Sequence, residues 1–191
     1  MMYKIRPFVT IEILLLLHHT LVYPHLTYGV ELWGSADPTH INKILILQKR
    51  IIRMITSSDR RQLNYQLPAS NPLFSQLKIL KIQDLNIFLL LKFVFKCLNK
   101  NAPTNFHDWF KLTSNIHNYR TRGTYDSNDL TRNTKKLYIP FARTTHYGFK
   151  KIKFLGPKLW NMIPPSVRLK PSLEQFLNSL KIHLLSKYEN S

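Results

Sequence analysis

Apolar residues recur at spacings of three and four along most of the chain, which is the pattern of amphipathic α-helices. The first such segment runs from Pro7 to about Trp33, and we expect a helix buried between neighbours because apolar residues surround much of it. Its apolar positions are Val9, Ile13, Leu16, Leu17, Leu21 and Tyr28. Glu12 interrupts the apolar run well before the ~20 residues that a membrane span needs, so we expect no stable membrane insertion.

A second helix is predicted to start at Asp37-Pro38 and to end near Thr56, because an N-cap carboxylate followed by proline favours a helix start. Its inward face contains Ile41, Ile44, Leu45, Ile51, Ile52 and Ile55. Four basic residues lie elsewhere on this helix, namely Lys43, Lys49, Arg50 and Arg53. They form either a solvated basic face or a row of phosphate contacts, and the sequence leaves both open.

Further helices are predicted after a polar connector at residues 57–70. Asn71-Pro72 opens one region, and a longer helix runs from about Gln83 to Leu98 with a basic stripe at Lys92, Lys96 and Lys100. Ser172 is the predicted N-cap of the last helix. The inner face of that helix contains Leu173, Phe176, Leu177, Leu180 and Leu184.

Between these helices, residues 114–154 show no sustained helical period. Residues 136–139 and 148–154 favour short strands, and Lys158 to Met162 favours a short helical turn. The predicted fold class is therefore mainly α with a small β-containing basic segment (α+β): a helical bundle, short strands and a C-terminal helix. We divide the chain into a helical region, 1–112, and a basic region, 113–191.

The charge points to an anionic partner. The 191 residues contain 28 Lys or Arg against 10 Asp or Glu, a net charge of +18. Between Asn118 and Lys170, 12 Lys or Arg face only Asp126 and Asp129, a balance of +10. Nucleic acid is the leading partner for such a composition. Acidic proteins or an acidic membrane surface are the alternative.

The residue types for catalysis are scarce. The ten carboxylates include no pair of the kind that holds metal in polymerases or nucleases, and the eight histidines are scattered. We therefore predict no catalytic residue, no metal site and no cofactor in this chain. The single cysteine, Cys97, fits a reducing compartment, nuclear or cytoplasmic.

Basic and aromatic residues are interleaved in the second half of the chain, as in proteins that bind single strands. The residues predicted to bind nucleic acid there are Arg120, Arg122, Arg143, Lys150, Lys151 and Lys153, together with the four basic residues of the second helix. Tyr119 and Tyr147 are the candidates for stacking on bases, whereas Trp160 and Trp33 are expected in the core.

One enzyme class has a partial match. His117-Asn118-Tyr119-Arg120 fits the H-x-x-R box of tyrosine recombinases, and Tyr188 stands where a nucleophile could lie. A pattern with two fixed positions arises easily by chance. We expect no covalent adduct with DNA.

Six blocks of the sequence, in order, carry a resemblance to a known family. They are Tyr23 to Gly34, Leu47-Gln48-Lys49-Arg50 with Arg53, Asn71-Pro72-Leu73-Phe74 to Asp84-Leu85, His117 to Arg122, Gly156-Pro157 to Pro164, and Ser172 to Phe176. Together they resemble the thumb and post-thumb region of LINE-type (non-LTR, jockey-like) retrotransposon reverse transcriptases, which are RNA-directed DNA polymerases.

The resemblance implies a segment that grips template RNA and target DNA during target-primed reverse transcription. The catalytic aspartates and Mg²⁺ of the family belong to a palm that is not in this sequence. An upstream palm or endonuclease would be the protein partner. The resemblance fits a truncated element, a partial gene model or a domain retained by a host genome.

Overall fold

The computed structural model describes residues 2–56, 69–116, 135–144, 148 and 150–188, with the side chains from residue 4 onward. Helices dominate these residues, so the predicted mainly α fold class is confirmed. They form two compact units. Unit 1 is Met1–Asn86 with Lys181–Ser191, and unit 2 is Ile87–Leu180. The division at residue 112 rests on charge pattern and stays a prediction.

The α-helices, in chain order, are α1 (Met2–Ile5), α2 (Ile11–Leu17), α3 (Tyr23–Thr27), α4 (Val30–Trp33), α5 (Pro38–Ile55), α6 (Ser70–Gln76), α7 (Ile82–Leu98), α8 (Ile152–Met162), α9 (Pro165–Arg168) and α10 (Leu173–Ser186). A π-helical turn at His18–Val22 joins α2 to α3, and 3₁₀ turns lie at Arg6–Phe8, Thr104–Phe106 and Thr113–Asn115. None of the helices in the described ranges is both long and apolar enough to cross a membrane.

The amino-terminal segment differs from its prediction. It is a series of short helices, and four of the apolar residues expected inside are exposed: Ile13, Leu16, Leu21 and Tyr28. The buried residues there are Leu14, His18 and Val30. A segment that is apolar on every side gives no periodic signal for the buried face, so the prediction chose the wrong one.

Unit 1 has a core built by α5, α6 and the carboxyl end of the chain. Asp37 caps α5, since its Oδ1 accepts the Thr39 N–H at 2.9 Å. Ile52 and Phe74 are fully buried in the core cluster, and the Tyr188 ring meets Phe74 edge-on at 6.4 Å. The predicted inner face of α5 is confirmed for Ile41, Ile52 and Ile55.

Unit 2 has an aromatic core. Phe95 stacks on Phe176 at 4.6 Å between ring centroids, and Trp160 lies 5.6 Å from Phe176. Trp160 is 1% exposed, which confirms its predicted place in the core. Trp33, in unit 1, is only partly buried.

The predicted short strands are wrong. Residues 136–139 contribute an isolated antiparallel bridge between Leu112 and Leu137. The second predicted strand, 148–154, runs into α8, which begins at Ile152. Alternating Lys and apolar residues there looked like a strand over four positions, but the apolar pattern continues at helical spacing to the buried Trp160 and Ile163.

Candidate nucleic-acid interface

Most of the net positive charge belongs to unit 2. Residues 87–180 contain 16 Lys or Arg against four Asp or Glu, a balance of +12 out of the +18 of the whole chain. A charge of this density raises the local concentration of a polyanion around the unit.

Three of the predicted binding residues gather where α8 begins. Lys150 and Lys151 lie immediately before the helix and Lys153 is in its first turn; all three are exposed. Lys151 is the N-cap, its side chain forms no capping hydrogen bond, and the first turn holds no acidic residue. The amino end of a helix already carries partial positive charge. Lys151 and Lys153 therefore repel the helix dipole, and a bound anion would relieve that repulsion.

Lys153 is held in place by an aromatic ring. Its Nζ lies 4.6 Å from the centroid of the Trp109 ring. Trp109 in turn packs edge-on against Phe106 at 4.8 Å and Phe93 at 6.3 Å. The cation–π contact is worth about 0.5–1 kcal/mol at an exposed site, and it holds the ammonium group over a ring that the core supports.

The other predicted residues of the basic region are placed only in part. Arg143 is exposed in the 135–144 segment. Arg120, Arg122, Tyr119 and Tyr147 lie outside the described residues, so their predicted roles in phosphate contact and base stacking stay predictions.

The four basic residues of α5 lie in unit 1 and differ in exposure. Lys43 and Arg50 are exposed, whereas Lys49 and Arg53 are partly buried. Lys43 and Arg50 are two turns apart, roughly 10 Å along the helix axis. The exposed side of α5 is also apolar between them, because Ile46 and Leu47 are about half exposed, at 50% and 55%.

One cation was missed by the sequence analysis. Arg168, at the end of α9, is 5% exposed, and its Nε and Nη1 are buried without a hydrogen-bond partner. Burial lowers the pKa of its guanidinium below the ordinary value. In the sequence Arg168 is one basic residue among many, and only packing distinguishes it.

Tyr188 does not have the setting of a recombinase nucleophile. It is 4% exposed in the core of unit 1, and its hydroxyl donates to Oδ2 of Asp84 at 2.5 Å while accepting the Lys81 N–H at 3.0 Å. Burial and then the Asp84 carboxylate raise the pKa of the hydroxyl above its usual value. Both effects oppose the phenolate that nucleophilic attack requires.

Neither a search for metal-binding groups nor comparison with known proteins assigns a function to this chain. Within the described ranges no three His, Cys, Asp or Glu side chains form a group that could hold a metal ion. Comparison of the chain with protein-family models, curated proteins and solved structures gives no match.

Proposed function

We propose that this chain is a nucleic-acid-binding segment that grips single-stranded RNA or DNA through phosphate contacts, as the carboxy-terminal part of a non-LTR retrotransposon reverse transcriptase. It carries no chemistry of its own in this proposal. Its role is to hold template RNA or target DNA for a polymerase palm elsewhere.

The observation that carries the proposal is the cluster of exposed cations at the amino end of α8. Lys151 and Lys153 stand where the helix dipole is positive and no carboxylate of the first turn offsets them, and Lys150 lies beside them in the sequence. Folding this arrangement costs electrostatic energy. A phosphate chain recovers that energy, and it also suits the +12 balance of unit 2.

Four residues of the blocks that carry the resemblance lie in the cores of the two units. They are Gln48 and Phe74 in unit 1 and Trp160 and Phe176 in unit 2, all of which are 0–2% exposed.

A protein partner is also part of the proposal. The described amino-terminal helices expose Phe8, Leu16, Tyr28 and Leu32 at 62–86%. Several large exposed apolar side chains within one short stretch of sequence suit a surface that another protein covers. In the proposed function that partner is the polymerase palm or the endonuclease of the full-length protein.

The test is binding of ~20-nucleotide oligo-uridylate and oligo-thymidylate, followed by fluorescence anisotropy across a salt titration. We expect log affinity to fall linearly with log salt. Replacing Lys150, Lys151 and Lys153 together by Gln should reduce the salt slope by about two to three and the affinity by about ten- to a hundredfold at low salt.

A second triple variant tests whether binding depends on the position of the lysines at the start of α8 or only on the net charge of unit 2. The control replaces three lysines of the same unit, Lys92, Lys96 and Lys100, by Gln. It removes the same number of positive charges from unit 2. We expect the control to lose less than about threefold in affinity. Equal losses in the two triple variants, or affinity independent of salt, would overturn the proposal.

The surface of α5 favours a second candidate function. Its exposed Ile46 and Leu47 beside Lys43 and Arg50 suit an acidic membrane surface, where apolar groups insert and cations meet lipid phosphates. Sedimentation with vesicles containing phosphatidylserine tests it. Replacing Ile46 and Leu47 by Ser should abolish vesicle binding and leave oligonucleotide binding unchanged, whereas vesicle binding that survives contradicts this candidate.

A further inference from the structure

Arg168 is a buried cation that lacks a partner. It sits at the carboxyl end of α9, where its backbone N–H donates to the Pro164 oxygen at 3.2 Å. The side chain is 5% exposed, and Nε and Nη1 are both buried without an acceptor. A guanidinium stays charged at every pH at which proteins fold, so burial cannot be relieved by deprotonation.

The described part of the chain supplies no counter-ion. The carboxylates described in unit 2 are Asp108 and Glu174, both exposed. Burial lowers the pKa of Arg168, and no charge among the described residues contributes to the shift. Leaving a buried charge unpaired is strongly destabilising, and a site with that cost is suited to an anion from outside the chain.

The guanidinium has one nitrogen, Nη2, that is not among its buried atoms without a partner, whereas Nε and Nη1 are. Both bidentate edges of a guanidinium include Nη2, one together with Nε and the other together with Nη1. A pair of anionic oxygens that docks at Nη2 reaches a second nitrogen only when the residues that cover Nε or Nη1 shift, and the hydrogen bond that then forms supplies the acceptor that this nitrogen lacks.

We propose that Arg168 is a phosphate-binding residue of unit 2, and that its guanidinium receives two oxygens of one phosphodiester of a bound RNA or DNA strand. This inference rests on the proposed function, because the excess of Lys and Arg in unit 2 as a whole is what selects a phosphate chain over an isolated carboxylate. It adds a buried bidentate site to exposed lysines that act as point charges.

The experiment compares Arg168→Met with Lys158→Met, which removes the same charge from an exposed position on α8. Anisotropy with ~20-nucleotide oligo-uridylate and oligo-thymidylate measures affinity, and thermal unfolding measures stability. For Arg168→Met we expect about tenfold weaker binding, a salt slope smaller by about one, and a melting temperature equal to or above that of the unchanged protein. For Lys158→Met we expect about a twofold loss. The oligonucleotide with the larger loss identifies the strand whose phosphate the site holds.

The results distinguish failure of the phosphate site from failure of the proposed function. Binding by Arg168→Met within about twofold of the unchanged protein, or a loss equal to that of Lys158→Met, overturns the phosphate site and leaves the proposed function standing. Absence of binding by the unchanged protein overturns both. If Arg168→Met unfolds, Arg168→Lys decides: it keeps the charge but not the bidentate edge, so it should bind about three- to tenfold more weakly, and affinity equal to that of the unchanged protein rules the site out.

Discussion

The side-chain amide of Gln48 caps the start of α7 from a different helix. Its Oε1 accepts the backbone N–H of Ile82 at 2.9 Å, and its Nε2 donates to the Leu80 oxygen at 2.8 Å. Gln48 is 2% exposed, so both hydrogen bonds are shielded from water. The first amides of a helix have no partner within it, and in α7 one of them is satisfied by α5.

Replacing Gln48 by Met should destabilise unit 1. Methionine fills a similar volume, but the Ile82 N–H and the Leu80 carbonyl lose their partners. We expect a loss of about 2–4 kcal/mol in the free energy of unfolding, measured by urea denaturation. The control is Gln83→Met, an exposed position on α7, which should change stability by less than about 0.5 kcal/mol. Equal effects would contradict the capping role.

Tyr188→Phe should also weaken unit 1. The substitution leaves the Asp84 carboxylate and the Lys81 N–H without the hydroxyl that joins them. The expected cost is about 1–3 kcal/mol by urea denaturation, whereas Tyr28→Phe, at an 86% exposed residue, should cost almost none. Incubation of the unchanged protein with DNA and denaturing electrophoresis should show no covalent adduct; an adduct lost in Tyr188→Phe would restore the recombinase interpretation.

His18 should make the protein less stable in acid. The side chain is fully buried in the π-helical turn and both ring nitrogens lack partners. Burial, with a smaller contribution from His19, lowers its pKa from 6.5 to about 4. The unfolded chain therefore binds more protons between these values, and stability falls as the pH falls through that window. From pH 7 to pH 4 the loss attributable to His18 should reach about 3 kcal/mol.

The measurement is urea denaturation at a series of pH values. His18→Leu should lack this part of the pH dependence, while His40→Leu, an exposed position on α5, should keep it. The same slope in His18→Leu and in the unchanged protein would show that other groups cause the acid sensitivity.

The side chain of Asn161 should hold the backbone of residues 135–137 in place in unit 2. Its Oδ1 accepts the Leu137 N–H at 2.9 Å, and its Nδ2 donates to the Leu137 oxygen at 2.8 Å. Asn161→Leu removes both bonds, so amide hydrogen exchange at Leu137 should accelerate by about ten- to thirtyfold, equivalent to about 1.5–2 kcal/mol. Asn178→Leu, at an exposed site on α10, should leave that exchange rate unchanged. Unaltered exchange in Asn161→Leu would exclude the anchoring role.

Periodicity predicted α5 and α10 because each has one buried face. Asp37 and Ser172 also act as the predicted caps, since each side chain accepts a backbone N–H at its helix start. Periodicity and capping patterns do not predict hydrogen bonds between residues that are distant in the sequence. Gln48 looked like one polar residue on an amphipathic helix, and its role appears only when Ile82 is beside it.

The sequence predicted the excess of positive charge at the candidate interface, but it did not predict the arrangement of the lysines in space. The sequence identified Lys150, Lys151 and Lys153, yet placed them in a strand, where they would not have met the end of a helix dipole. The burial of Arg168 depends on how α9 packs, which no local pattern encodes.

The bridge between Leu112 and Leu137 ties together two points that are 25 positions apart in the sequence. Asn161 and Trp160 fix the second point independently, Trp160 through a 2.7 Å hydrogen bond from Nε1 to the Lys135 oxygen. Doubling the length of a closed loop costs only about 0.6 kcal/mol, so this pairing depends on the contacts at its two ends and hardly on the number of residues that separate them.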